Sequence, residues 1–273
     1  MDYNIQLKNN QVLKGLIISP GEKMRAVIIF IHGLGEHIQR YLAWADRLNK
    51  EGIGFTGVDL PGHGRSGGSR GNIKSFDVTD EMIDILYEST HKTFPGVPVF
   101  IYGQSLGGGI VLDYLLRRKP EISGAIVTSP WLKLSFEPGK VKIAVASLMK
   151  YILPNLIQPS GLKPEHLSHD KKVVDKYTSD PLVHDKITVS LFHSAMNAGR
   201  HSIEHAAELR VPLLLMHGGD DLICSPEGSR EFASRTSMAE LKIWEGGYHE
   251  IHNEPFRNDV FAFIINWINK RLG

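Results

Sequence analysis

The chain has 273 residues, 42% of them apolar and 22% charged, which suffices for a full hydrophobic core and excludes a disordered chain. Its formal net charge of +1, with lysines and arginines scattered, gives no field that would gather nucleic acid or another polyanion. The single cysteine, Cys224, excludes an internal disulfide framework and fits a reducing cytosol, where a structural thiol is the favoured reading.

Met1 to Ile5 lacks the basic-then-apolar pattern of a signal peptide, and no apolar run reaches the roughly 18 residues that span a bilayer. A soluble, cytoplasmic protein is expected. Residues 3 to 19 alternate apolar and polar around Asn9-Asn10, which predicts an N-terminal hairpin. Ala26 to Ile31 is a continuous, largely β-branched apolar run, the pattern of a strand covered on both faces. A glycine-rich turn, His32 to His37, follows, and then an amphipathic helix over 41–51. A short strand over 54–59 leads into the loop Leu60-Pro61-Gly62-His63-Gly64-Arg65-Ser66, and the spacing of Val78, Met82, Ile83, Ile85 and Leu86 predicts a helix over 77–92.

Val97 to Tyr102 reads as the next strand, Gly108 to Arg118 as a helix, and Ala125 to Thr128 as a further buried strand. This alternation predicts an α/β fold, a mostly parallel sheet with helices on both faces. After Ser129-Pro130 the rhythm breaks. Residues 131–200 hold no convincing buried strand but carry an apolar helix candidate, Val141 to Leu153, followed by loops rich in Pro, Ser, His and Asp. The block reads as a helical cap, or lid, inserted into a core made of residues 1–130 and 201–273. Strands resume at Val211 to Met216 and Glu240 to Trp244, and Val260 to Arg271 closes the chain as a helix.

Between the strand ending at Tyr102 and the helix from Gly108 stands Gly103-Gln104-Ser105-Leu106-Gly107. Small neighbours allow the sharp strand-to-helix bend that exposes a serine hydroxyl above a sheet. A serine needs a base and an acid to become a nucleophile. His249 lies just beyond the strand ending at Trp244, and Asp220 and Asp221 lie just beyond the strand ending at Met216. All stand past the carboxyl ends of strands, where open α/β sheets carry their sites. Ser105 would then attack an acyl carbonyl, His249 would carry the proton, and the aspartate would orient the imidazole. The backbone N–H groups of Leu106 and, in the turn after the first long strand, Leu34 are the expected oxyanion donors.

These segments together resemble the monoglyceride lipase and lysophospholipase branch of the α/β-hydrolases, a group that also holds serine aminopeptidase-like enzymes. The resemblance rests on His32-Gly33-Leu34-Gly35-Glu36-His37, Asp59 to Ser66, the serine turn and Tyr248-His249, and spans roughly residues 10 to 270. It implies the α/β-hydrolase fold and a cofactor-free carboxylic ester hydrolase acting on monoacylglycerols or similar single-chain lipids. It also favours Asp221 over Asp220, because the family acid ends a Gly-x-x-Asp turn. Glu36 and Arg40 are expected to brace the oxyanion turn by a salt bridge, with head-group binding as the second reading, and His63 and Arg65 are expected to be structural.

In the cap, Ile143, Leu148, Met149 and Ile152 are the candidates for substrate binding, since the 143–157 segment is more apolar than one buried stripe requires. An acyl-chain tunnel is the leading reading, and a face resting on membrane is the second. His169-Asp170 and His184-Asp185 lack metal-ligand spacing, so no metal is expected. Lysophospholipase, short-chain carboxylesterase and proline-type aminopeptidase remain alternatives. A non-catalytic binding protein on the same scaffold is another. A dehalogenase or epoxide hydrolase would carry aspartate in place of Ser105.

Overall fold

The computed structural model describes residues 2–21, 24–136 and 152–273. The elements run β1 (Asp2–Gln6), β2 (Val12–Ile18), β3 (Ala26–Ile31), α1 (Leu42–Lys50), β4 (Ile53–Val58), α2 (Phe76–Thr93), β5 (Val99–Gln104), α3 (Leu106–Arg118) and β6 (Gly124–Thr128). After these come β7 (Ile157–Pro159), α4 (Lys171–Ser179), β8 (Lys186–Thr188), α5 (Val189–Glu204), β9 (Leu213–Gly218), α6 (Pro226–Ser234), β10 (Ala239–Trp244) and α7 (Arg257–Leu272).

Eight strands form one sheet in the order β1-β2-β4-β3-β5-β6-β9-β10. The pairs from β4 to β10 are parallel, and the N-terminal hairpin adds the two antiparallel pairs at the β1 edge. The pleat explains the continuous apolar run of β3. Val27, Ile29 and Ile31 enter the core on the face covered by α2, α3 and α5, while Ala26, Ile28 and Phe30 enter the core on the face covered by α1 and α7. A strand sandwiched in this way has no polar face to display.

The expected elements of the core are all present, with ends shifted by a few residues. The helix α6 was not foreseen. Neighbouring parallel strands β9 and β10 require a crossover, and Pro226 at the first turn marks the start of the helix that supplies it.

The 131–200 block, expected as a helical cap with loops and no buried strand, also holds short strands. It contains a small antiparallel sheet, β7 with β8, besides α4 and α5. The expected boundary at 200 falls inside α5, which runs on to Glu204. That helix packs against α3, burying Leu191, Ala195, Ala198 and Ile203 in the main core, so it is continuous with the sheet domain. Residues 141–151 of the expected apolar helix, including Ile143, Leu148 and Met149, lie outside the described residues.

Candidate active site

The strand order β4-β3-β5 makes a switch point: the chain leaves β3 toward one side of the sheet and returns to place β5 on the other. Loops leaving the carboxyl ends of two such strands diverge and open a crevice. Here those loops are the His32 to His37 turn and the serine turn. Ser105 has φ 55° and ψ −118°, a left-handed conformation that costs free energy for a residue with a side chain. The neighbouring glycine makes the bend feasible. A Cβ on Gly107 would collide with the backbone carbonyl oxygens of Ile31 and His32, so the start of α3 can lie against the end of β3 only with glycine there.

The Ser105 hydroxyl lies 2.8 Å from His249 Nε2, and His249 Nδ1 lies 2.7 Å from Asp221 Oδ2. The other oxygen of Asp221 accepts the backbone N–H groups of Ile223 (2.8 Å) and Cys224 (3.1 Å). A second, fully buried histidine completes this shell. His217 Nε2 lies 3.0 Å from both Asp221 Oδ2 and the Cys224 carbonyl oxygen, so it carries the proton, and Nδ1 accepts from Ser229 Oγ at 2.7 Å. Asp221 is thus held by four donors.

Electrostatics follow from this geometry. Burial opposes ionisation of Asp221, but the His249 charge and the hydrogen bonds of His217 and His249 outweigh it and hold the carboxyl below the ordinary aspartate range. Burial likewise disfavours a charged His249, yet Asp221 more than compensates and raises it above the ordinary histidine value. Burial and the Asp221 charge push the Cys224 thiol well up, which leaves it an inert neighbour.

Leu34 lines the cavity beside Ser105, and Leu106 opens α3, where N–H groups have no acceptor within the helix and the dipole favours negative charge. The turn that carries Leu34 is braced by a buried ionic cluster. Glu36 Oε1 accepts the Gly33 N–H at 2.7 Å and the Tyr41 hydroxyl at 2.8 Å, while Glu36 Oε2 pairs with Arg40. Arg40 also makes a two-pronged bond to Glu250, at 2.8 and 2.9 Å, and lies 4.7 Å from the Tyr177 ring centre. His32 is part of the same scaffold: Nδ1 donates to the Gly33 carbonyl and Nε2 accepts the Leu60 N–H, each at 2.8 Å.

The 152–200 segment is tied to both walls of this crevice. The His184 N–H donates to the Gly35 carbonyl at 2.9 Å, and a Cβ on Gly35 (φ 74°) would strike the His184 carbonyl. On the opposite wall the Glu250 N–H donates to the Leu167 carbonyl at 2.8 Å. Leu162, Leu167 and Tyr177 from this segment line the cavity with Ser105 and His249.

The structure therefore brings Ser105, His249, Asp221, Leu34 and Leu106 to one site. Asp220 is not in the hydrogen-bonded chain; its N–H donates to the Gly247 carbonyl. Ile152 is 61% exposed and is not among the described residues that line the cavity. It begins an exposed apolar edge with Leu153, Leu156 and Ile157. His63 and Arg65 occupy a scaffold loop: His63 Nδ1 bonds the Pro61 carbonyl, and the Arg65 N–H donates to Asp59 Oδ2. Sequence reasoning missed His217 and Glu250. A polar residue ending the apolar run of β9, four residues before Asp221, was the available signal for His217. Glu250 carried none beyond its place next to His249.

Residues 22–256 match the family described as "Serine aminopeptidase, S33". An uncharacterized abhydrolase domain-containing protein of Dictyostelium discoideum is 35% identical over 98% of this chain, which spans 29% of that longer protein. A monoacylglycerol lipase of Mycolicibacterium smegmatis is 32% identical over 93% of this chain and 91% of its own. The crystal structure of a monoacylglycerol lipase from Paleococcus ferrophilus superposes with a TM-score of 0.87, at 32% identity, over 95% of this chain and 99% of the other.

Proposed function

This chain belongs to the serine aminopeptidase S33 family, in the monoglyceride lipase-like branch of the α/β-hydrolases, and from that premise we propose that it hydrolyses monoacylglycerols through an acyl-enzyme on Ser105. The observation that carries the proposal is the unbroken chain from Ser105 Oγ through His249 to Asp221, at 2.8 and 2.7 Å. His249 Nε2 takes the hydroxyl proton as Ser105 Oγ attacks the ester carbonyl, and the Leu34 and Leu106 N–H groups hold the oxyanion. Collapse of the tetrahedral intermediate breaks the bond to the alcohol, which receives the proton from His249. Water then repeats the sequence on the acyl-enzyme and releases the fatty acid. Asp221, kept ionised, fixes the tautomer with Nδ1 protonated and stabilises the imidazolium, and His217 fixes Asp221. No step calls on a metal or cofactor.

The 131–200 segment acts as a cap that selects single-chain lipid. Leu162 and Leu167 already give the cavity an apolar wall from that segment. The exposed edge from Ile152 to Ile157 suits peripheral contact with a lipid surface. The buried single cysteine fits the cytoplasm.

The test is an ester panel: monoacylglycerols of rising chain length, lysophospholipids and short p-nitrophenyl esters, with Ser105→Ala as control. The expected result is a gain in kcat/KM from butyryl to long-chain glycerol esters and loss of turnover in the variant. No gain beyond butyryl removes the lipid reading, and full activity in Ser105→Ala removes the mechanism.

A further inference from the structure

Resting on the ester-hydrolase reading above, we propose that Glu250 makes the leaving-group side of the cavity reject anionic head groups, so that esters of neutral or zwitterionic alcohols are taken in preference to phosphate monoesters. The reaction dictates where the alcohol lies. His249 Nε2 must deliver a proton to the leaving oxygen, so the alcohol rests against His249, and Glu250 is the next residue and lines the same cavity.

Among the described residues lining that cavity, Arg40 is the sole permanently cationic side chain. An arginine there would ordinarily invite a phosphate or carboxylate. In this chain the invitation is withdrawn. Both guanidinium Nη atoms are engaged by Glu250, Nη1 is shared with Glu36, and one face lies over Tyr177. One cation against two carboxylates leaves a surplus negative charge. Burial works against the Glu250 carboxylate, but Arg40 draws its pKa down to about 2, and the same carboxylates keep Arg40 protonated. The surrounding groups do not offset the surplus: burial holds His252 down to about 4 and pushes the Tyr177 hydroxyl well up, so both are neutral near pH 7, and a charge on His249 is matched by Asp221. Charges six to eight ångströms apart at an effective dielectric constant near 20 change a binding constant by roughly thirtyfold to a hundredfold.

The experiment measures kcat/KM for 1-oleoylglycerol and 1-oleoylglycerol 3-phosphate, which share an acyl chain, in the wild type, Glu250→Gln and Glu250→Asp. Taking the ratio cancels any change in the chemistry at Ser105 common to both. The wild type should favour the neutral ester by about a hundredfold. Glu250→Gln should narrow that preference by about tenfold or more, through KM for the phosphate ester, while Glu250→Asp retains the charge and stays near the wild-type ratio. Equal use of both esters by the wild type, an unmoved ratio in the Gln variant, or an equal shift in the Asp variant overturns the proposal. Should the variants not fold, wild-type protein with 1-oleoyl-glycerophosphocholine decides. The larger but zwitterionic head group should be accepted better than the phosphate monoester, and the reverse order means that size governs. Labelling of Ser105 by a fluorophosphonate without hydrolysis of any oleoyl ester overturns the parent reading and this proposal with it.

Discussion

Replacing Asp221 with asparagine should separate geometry from charge at the candidate active site. The carboxylate has two distinct oxygens: Oδ1 accepts the Ile223 and Cys224 N–H groups, and Oδ2 accepts from His249 and His217. An asparagine can keep the two backbone bonds only by placing its carbonyl at Oδ1, which leaves its NH₂ where Oδ2 was. That NH₂ then faces two imidazole nitrogens that both carried protons. His249 can resolve the clash by moving its proton to Nε2, the nitrogen that must accept from Ser105, so the base is in the wrong tautomer. The opposite amide orientation sacrifices two buried backbone bonds. Loss of the correct tautomer in serine hydrolases of other folds lowers kcat by about 10⁴, close to 5.5 kcal/mol of barrier. The assay is kcat for a soluble p-nitrophenyl ester, with thermal unfolding as the check that the fold survives. Activity within tenfold of wild type in a folded Asp221→Asn variant would refute the reasoning.

The acid limb of kcat/KM should lie above the ordinary histidine value of about 6.5, because His249 serves as base only when neutral and Asp221 raises its pKa; activity therefore falls as pH drops through that limb, and a limb below 6 contradicts the assignment. Arg40→Ala leaves Glu36 and Glu250 buried without their partner and should cost about 3–5 kcal/mol in denaturant unfolding. Glu250 itself has a depressed pKa, so its contribution to stability is complete above the ordinary glutamate range and is lost as pH falls toward about 2; the Tm gap between wild type and Glu250→Gln should narrow over that window, and a gap that widens reverses the sign. Gly35→Ala should push the His184 segment off the turn carrying Leu34, lowering kcat by about 10²-fold with less effect on unfolding; unchanged kcat would show that the turn is placed independently of that segment.

The order of strands and helices was legible because continuous apolar runs such as Ala26 to Ile31 and the punctuating glycines are local signals, set by burial on both faces and by turn sterics. Ser105 was legible for the same reason: its strained turn is written in the adjacent residues. The exposed ends of elements shifted, since end residues gain or lose little by one more turn or ladder bond. The 131–200 block was the poorest reading. Among the described residues its short strands β7 and β8 pair only with each other, and α5 owes its place to packing on α3, which no pattern within the block announces.

Two carboxylates illustrate the division between chain and fold. Asp220 and Asp221 are chemically equivalent neighbours in the sequence, and the resemblance to a family decided between them at that level. In the folded protein the choice is physical: the β9 and β10 ends bring His217, His249 and two backbone N–H groups around Asp221, while Asp220 has its N–H turned to Gly247. The proposed reaction type was legible in the sequence by itself, because the candidate nucleophile, base and oxyanion turn depend on residue identity and on local bends that short segments encode. The tertiary structure alone decided the electrostatic setting. Arg40 and Glu250 are 210 positions apart, and the neutralisation of one by the other exists only once the turn after β3 and the loop after β10 meet over Ser105.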